Sequence, residues 1–290
     1  MTRLSAAVII CSTGRPEILH ETLLSVQSQK PAFPSEIIVS VASQSDILPK
    51  SSILPRVKSF VSPRRGSASQ RNAGLQALVS NPDIVVFLDD DVELAPGHLA
   101  AYLACFESDS SIVIANAPDL MRGIKGVSRN QARQCINSQL PSAPTTGYRY
   151  SDCRAATGSS MAFRGTLVNR VWFDENLPLY SYLEDYDFSL SCQVYGRCVM
   201  VPFAQYVHME PSVGRISNYR RGYSEIVNPF YIASKHGLGL PPRMVLGCIR
   251  RTLRSMRLIP SEGVDRLRGH VRGWADVIRR RSDPRKILQM

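Results

Sequence analysis

Three aspartates in a row, Asp89, Asp90 and Asp91, directly follow the apolar run "VVFL", and a second acidic group, "LEDYD", supplies Glu184, Asp185 and Asp187. Adjacent like charges repel, so a run of three is costly unless a cation neutralises it, and a divalent ion with oxygen ligands does this economically. Magnesium and manganese take one or two protein carboxylates and fill their remaining positions with water and substrate phosphates, which points to a metal bridging to a diphosphate. The plainer reading is that one aspartate caps the helix starting near Pro96 and the others are solvated loop charges. The second group offers a carboxylate able to remove a proton from an incoming hydroxyl, or simply acidic residues favouring a helix N-terminus. Arg64, Arg65 and Arg71 lie near a helix start and suit an anionic substrate or an exposed basic face. His208, after a strand ending near Val201, is a ligand or an ordinary partly buried histidine.

The elements that must position these residues alternate. Short apolar runs, "AAVIIC" (6–11), "EIIVSVA" (36–42), "DIVVFLD" (83–89) and "SIVIANAP" (111–118), are separated by helical patterns at 16–29, 67–80 and 95–108. Strands of about six residues alternating with helices of about a dozen predict βαβ units and a mostly parallel sheet, buried on both faces. The aspartates fall at the carboxyl end of a strand, where open α/β sheets bind ligands. A polar stretch follows from 119 to 154, then a helix from about Glu184 to Tyr195 ended by Gly196, and a strand through "CVMVP". Beyond Pro241 and Pro242 the composition changes. Leu246, Ile249, Leu253 and Met256 share one helix face, with Arg243, Arg250, Arg254 and Arg257 expected on the opposite one. Ser261 can cap a further helix whose apolar residues are Val264, Leu267, Val271, Trp274 and Ile278.

The formal charge of +11 over 290 residues is uneven: residues 241–290 hold 13 Lys+Arg against four Asp+Glu. A near-neutral remainder argues against a nucleic-acid-binding main domain and for a basic appendage with its own partner. The seven cysteines are odd in number and never spaced as C-x-x-C, so neither a disulfide framework nor a zinc knuckle is suggested, and a reducing cytosol fits. The opening apolar run breaks at once into "CSTGRP", which favours a first strand over a signal peptide. No stretch reaches the roughly 18–20 apolar residues needed to span a bilayer.

Taken in order, these segments resemble the family 2 glycosyltransferases over about Ala6 to Tyr231. "VIICSTGRPEIL" is similar to the family's first strand and nucleotide loop, "SASQRNAGLQAL" to the segment whose Arg-Asn-x-Gly faces the nucleotide, and "VVFLDDDVELAP" to the strand ending in the D-x-D metal motif. "GSSMAFRGTLVNRVWFDENLPLYSYLEDYDFSLSCQVYG" follows the pattern of a Gly-containing acceptor-side strand, an F-D-E turn and the E-D motif at a helix start, and "NPFYIASKHG" resembles a frequent closing segment. The resemblance implies a GT-A fold, an inverting transfer of sugar from a nucleotide-diphospho-sugar to a saccharide or lipid-linked acceptor, and a divalent cation, Mn2+ or Mg2+. It implies Asp91 and Asp89 on the metal with His208 completing the shell, and Asp90 close to the nucleotide-sugar. Asp185 becomes the general base with Glu184 beside it on the acceptor side. Arg71 becomes a nucleotide or phosphate contact, and Ser12, Thr13 and Arg15 line the nucleotide loop.

Two departures stand out. Val41 occupies the place of a base-recognising aspartate, so Asp46 or a backbone group must substitute, and Trp172 replaces the usual small residue before the F-D-E turn. The expected organisation is a catalytic domain over 1–240, with a nucleotide-binding half to about 118 and an acceptor-side half from 119, and a basic helical extension over 241–290. The extension has either an anionic membrane surface or the protein's own core as its partner. A non-catalytic nucleotide-sugar-binding protein and a sugar nucleotidyltransferase are the competing readings. The expected location is the cytoplasm, peripheral on the inner face of the membrane if the extension binds lipid.

Overall fold

The computed structural model describes residues 4–139, 147–210, 217–257 and 263–290. The chain divides into two compact units: Met1–Arg64, Gln70–Phe173 and Phe188–Gly214 form the first, and Arg65–Ser69, Asp174–Asp187 and Arg215–Met290 the second. The boundary expected after residue 240 is one of composition; by contacts, residues 215–290 group together.

In the first unit the β-branched runs form β1 (Ala6–Ser12), β2 (Glu36–Val41), β3 (Val57–Val61), β4 (Ile84–Asp89), β5 (Val92–Leu94), β6 (Ile112–Asn116), β7 (Ser160–Arg164), β8 (Arg197–Met200) and β9 (Tyr206–His208). Seven of these make one sheet in the order β3-β2-β1-β4-β7-β6-β8, with only β7 antiparallel to its neighbours. β1, β2 and β4 are almost wholly buried, as strands covered on both faces must be. The strand order reverses at β1, which pairs β2 on one side and β4 on the other, and it is beyond the carboxyl ends of strands at such a reversal that open α/β sheets bind ligands. Cys11 of β1 lies level with Asp89 of β4.

The helices α1 (Pro16–Gln27), α2 (Pro49–Ser52), α3 (Ser67–Gln76), α4 (His98–Ser108) and α5 (Arg129–Ser138) follow, α3 beginning in the second unit. α5 falls in the stretch read from sequence only as polar. It opens with a capping box in which Ser128 and Gln131 satisfy each other's backbone N–H groups. The other sheet is the pair β5–β9, in register Val92 with His208.

The second unit holds the first turn of α6 (Glu184–Gln193) and the helices α7 (Asn218–Lys235), α8 (Pro242–Arg257) and α9 (Gly263–Ile278). α9 lies against α7 through glycines: a Cβ on Gly269 would come 2.2 Å from the Tyr219 carbonyl oxygen, and one on Gly222 would come 2.2 Å from that of Arg266. At their crossing Glu225 of α7 is buried among Arg221, Arg266 and His270. The expected cap Ser261 lies outside the described residues. The arginines expected opposite the apolar row of α8 do not lie there. The face opposite is the buried one, at Cys248 and Ser255. With about 100° per residue the arginines stand roughly a quarter-turn from the apolar row, on the same exposed side.

Candidate active site

The carboxyl ends of β1 and β4 bring Ser12, Arg15 and the three aspartates together. Asp89 ends β4, and Asp90 and Asp91 form the turn that leads into β5. Asp90 is fully buried: its Oδ2 accepts from Ser12 Oγ at 2.5 Å and its Oδ1 lies 2.5 Å from Arg15 Nη2. Both Asp90 oxygens, expected near the nucleotide-sugar, face protein partners here. Ser12 and Arg15, expected on a nucleotide, hold this carboxylate, and Arg15 Nη1 also donates to Asp91 Oδ2 at 3.0 Å.

Asp89 and Asp91 converge with His208. Pairing of β5 with β9 carries His208 to the turn after β4, where its Nε2 lies 3.0 Å from Asp91 Oδ1 and 3.6 Å from Asp89 Oδ2. One ligand atom from each of the three lies within 4.8 Å of the others. Asp91 Oδ1 is buried against His208 Nε2, while the Asp89 side chain is 33% exposed. A buried carboxylate, an imidazole and an accessible carboxylate are a donor set that fits a divalent cation with positions left open for water or phosphate.

Charges in this cluster are mutually tuned. Complete burial raises the Asp90 carboxyl above the ordinary range against the pull of Arg15. Burial also works to raise Asp91, but the adjoining His208 and Arg15 prevail and hold it below its ordinary value. Burial would lower His208, yet Asp91 and Asp89 raise it to about 9. Ligation by this imidazole therefore requires loss of its proton.

Arg71, nearly buried, donates from Nη2 to Asp89 Oδ1 at 3.0 Å and to the Gly158 carbonyl at 3.1 Å, with its guanidinium over the rings of Phe87 and Phe173. It orients Asp89. A Cβ on Gly158, the glycine that opens the segment "GSSMAFRG", would come 2.7 Å from Arg71 Nη2 and displace this guanidinium. Thr13 is half-buried in the turn after β1. Asp46 sits in a 3-10 turn beyond β2 with its Oδ2 accepting from Ser43 N at 2.9 Å, so its carboxylate already caps its own turn.

In the second unit Glu184 and Asp185 open α6, where acidic residues suit the helix N-terminus. Asp185 is partly exposed, with Oδ1 accepting from Tyr186 N at 2.8 Å; Glu184 is buried and accepts from Ser67 Oγ at 3.3 Å. Asp187, fully buried, takes Lys235 Nζ at 2.7 Å and His236 Nε2 at 2.8 Å, tying this first turn to the end of α7. Lys235 and His236 carried no signal in sequence beyond their place in the closing segment.

The model of the family described as Glycosyl transferase family 2 matches residues 7–172. No curated protein sequence matches the chain. Mannosyltransferase PcManGT from Pyrobaculum calidifontis, in complex with GDP-Man and Mn2+, superposes with TM-score 0.58 at 15% identity, over 95% of this chain and 88% of that one. GalNAc-T7 with UDP, GalNAc and Mn2+ gives 0.57 at 16% identity, over 80% of this chain and 50% of that one, so the chain here spans half the length of GalNAc-T7. S. aureus TarS 1-349 in complex with UDP-GlcNAc gives 0.55 at 15% identity, over 84% of this chain and 70% of that one. Likeness at these identities is a likeness of fold, the GT-A fold with its mostly parallel central sheet and flanking helices.

Proposed function

The chain belongs to glycosyl transferase family 2, and from that premise we propose that it moves a sugar from a nucleoside-diphospho-sugar to an acceptor hydroxyl on a saccharide or lipid-linked saccharide. One observation carries the reading: Asp89, Asp91 and His208 converge where the strand order reverses. Those three residues would hold a divalent cation, Mn2+ or Mg2+, which as a Lewis acid offsets charge growing on the leaving diphosphate. Arg71 keeps Asp89 oriented, and Ser12 and Arg15, through Asp90, fix the turn that carries Asp91. Asp185 is the proposed general base, with Glu184 beside it. It takes the acceptor proton as the acceptor oxygen bonds to the anomeric carbon and the bond from that carbon to the diphosphate oxygen breaks, so configuration inverts.

Residues 1–118 form the proposed nucleotide-binding half, 119–240 the acceptor-side half, and 241–290 the part that meets an anionic membrane surface. Solved relatives carry UDP, GDP-Man or UDP-GlcNAc, which sets the panel for the test. Thermal shift of the full chain with these ligands should rise with Mn2+ present for at least one of them, and the rise should vanish in Asp91→Asn. No shift with any nucleoside-diphospho-sugar would remove the proposal.

A further inference from the structure

α8 presents two rows on its exposed side. Leu246, Ile249, Leu253 and Met256 are 44%, 42%, 51% and 53% exposed, although each is a large apolar side chain. Beside them run Arg243, Arg250, Arg254 and Arg257, all exposed and none in an ion pair with a described residue. The helix has five arginines and no acidic residue, and its remaining face, at Cys248 and Ser255, is already buried within the second unit. The apolar row is thus not spent on the protein's own core.

We infer that α8 lies flat on an anionic lipid surface, with Leu246, Ile249, Leu253 and Met256 among the acyl chains and Arg243, Arg250, Arg254 and Arg257 at the headgroup phosphates. This rests on, and sharpens, the reading of residues 241–290 as membrane-facing. Sixteen residues of helix extend about 24 Å, enough for a stable interfacial contact. Among the described residues no helix is long and apolar enough to cross a bilayer. Arginines flanking an apolar row can extend their aliphatic stems along it while their guanidinium groups reach phosphates, so both rows engage the same surface. A nucleic acid would leave the four aliphatic side chains in water, and an acidic protein partner would show no preference for vesicles.

The test is co-sedimentation of the full chain, without sugar donor, on phosphatidylcholine vesicles with and without about a third phosphatidylglycerol. Binding is expected only with phosphatidylglycerol and should weaken as salt rises. Ile249→Asp with Leu253→Asp should lower partition at least about tenfold, and Arg250→Glu with Arg254→Glu should do the same. Val194→Asp, at an exposed apolar residue outside this helix, should change nothing. The four substituted side chains on α8 are exposed, so folding can be verified by circular dichroism and thermal melting. Absence of vesicle binding, or undiminished binding in the Ile249/Leu253 variant, overturns the inference. So does a dimer in sedimentation velocity that dissociates in that variant without vesicle binding, which would assign the row to a second copy. Because no donor is used, failure here leaves the transferase reading standing, and failure of that reading leaves this one intact.

Discussion

Glu225→Gln tests how the C-terminal helices are held together. The Glu225 side chain is 3% exposed, with Oε1 at 2.5 Å from Arg266 Nη2 and 3.1 Å from Arg221 Nε, and Oε2 at 2.9 Å from Arg266 Nε and 3.1 Å from His270 Nε2. Its backbone carbonyl also accepts from the Cys248 thiol, so α7, α8 and α9 meet at this residue. Burial works to raise the carboxyl, but His270, Arg266 and Arg221 prevail and pull it from its ordinary 4.5 to about 2. At ~1.4 kcal/mol per pH unit this corresponds to about 3 kcal/mol in favour of the folded state. Because folding depresses the pKa, that stabilisation is complete above about pH 4.5 and is lost as pH falls through about 2. A glutamine keeps the shape but leaves buried cationic groups facing a neutral amide, so a loss of about 3 kcal/mol is expected at neutral pH. The readout is built in. Of the two tryptophans, Trp274 lies in α9, edge-on to Phe230 and donating to Thr252 Oγ1 at 3.0 Å, so a Trp172→Phe background reports on the second unit alone. Denaturant melts followed by Trp274 fluorescence at neutral and acid pH should show the loss, and a flatter acid dependence in the variant. A variant within about 0.5 kcal/mol of its parent, with the same acid dependence, would refute the reasoning.

Asp185→Asn should cut turnover by ~10²–10⁴ while leaving the donor-induced thermal shift nearly intact; full activity in this variant would take the base assignment away. Gly269→Ala should destabilise the second unit by ~1–3 kcal/mol, since its Cβ would meet α7 backbone at 2.2 Å and 2.8 Å. Gly247→Ala, where the nearest obstacle is the flexible end of Arg251 at 3.3 Å, should be neutral or slightly stabilising, and Trp274 melts of the two variants compare them directly.

The buried parallel strands were legible because β1, β2 and β4 are unbroken apolar runs, and the position of the aspartates at a strand end followed from them. What the chain alone conceals is non-local. β5 and β9 are three residues each, too short for a periodic signal, yet their pairing delivers His208 to Asp91. The hydrogen bond from Arg15 to Asp91 links residues 76 apart and carries no local signal either. β3, at the sheet edge, has no fully buried residue, and α5 hides in a polar stretch although the Ser128/Gln131 box announces its start. In α9 the periodicity correctly groups Val264, Leu267, Val271, Trp274 and Ile278, but Val271 and Ile278 remain 60% and 78% exposed. The face that packs is the one bearing Gly269 and Gly273, because close approach to α7 selects for missing side chains rather than apolar ones.

The most direct measurement is release of nucleoside diphosphate from UDP- and GDP-sugars by the full chain, with saccharide acceptors present, with and without Mn2+. The expected result is metal-dependent release from one donor, coupled to a glycosylated product of inverted configuration, and lost in Asp91→Asn. Release that persists unchanged in Asp91→Asn and without metal, or no release from any donor, would contradict the account.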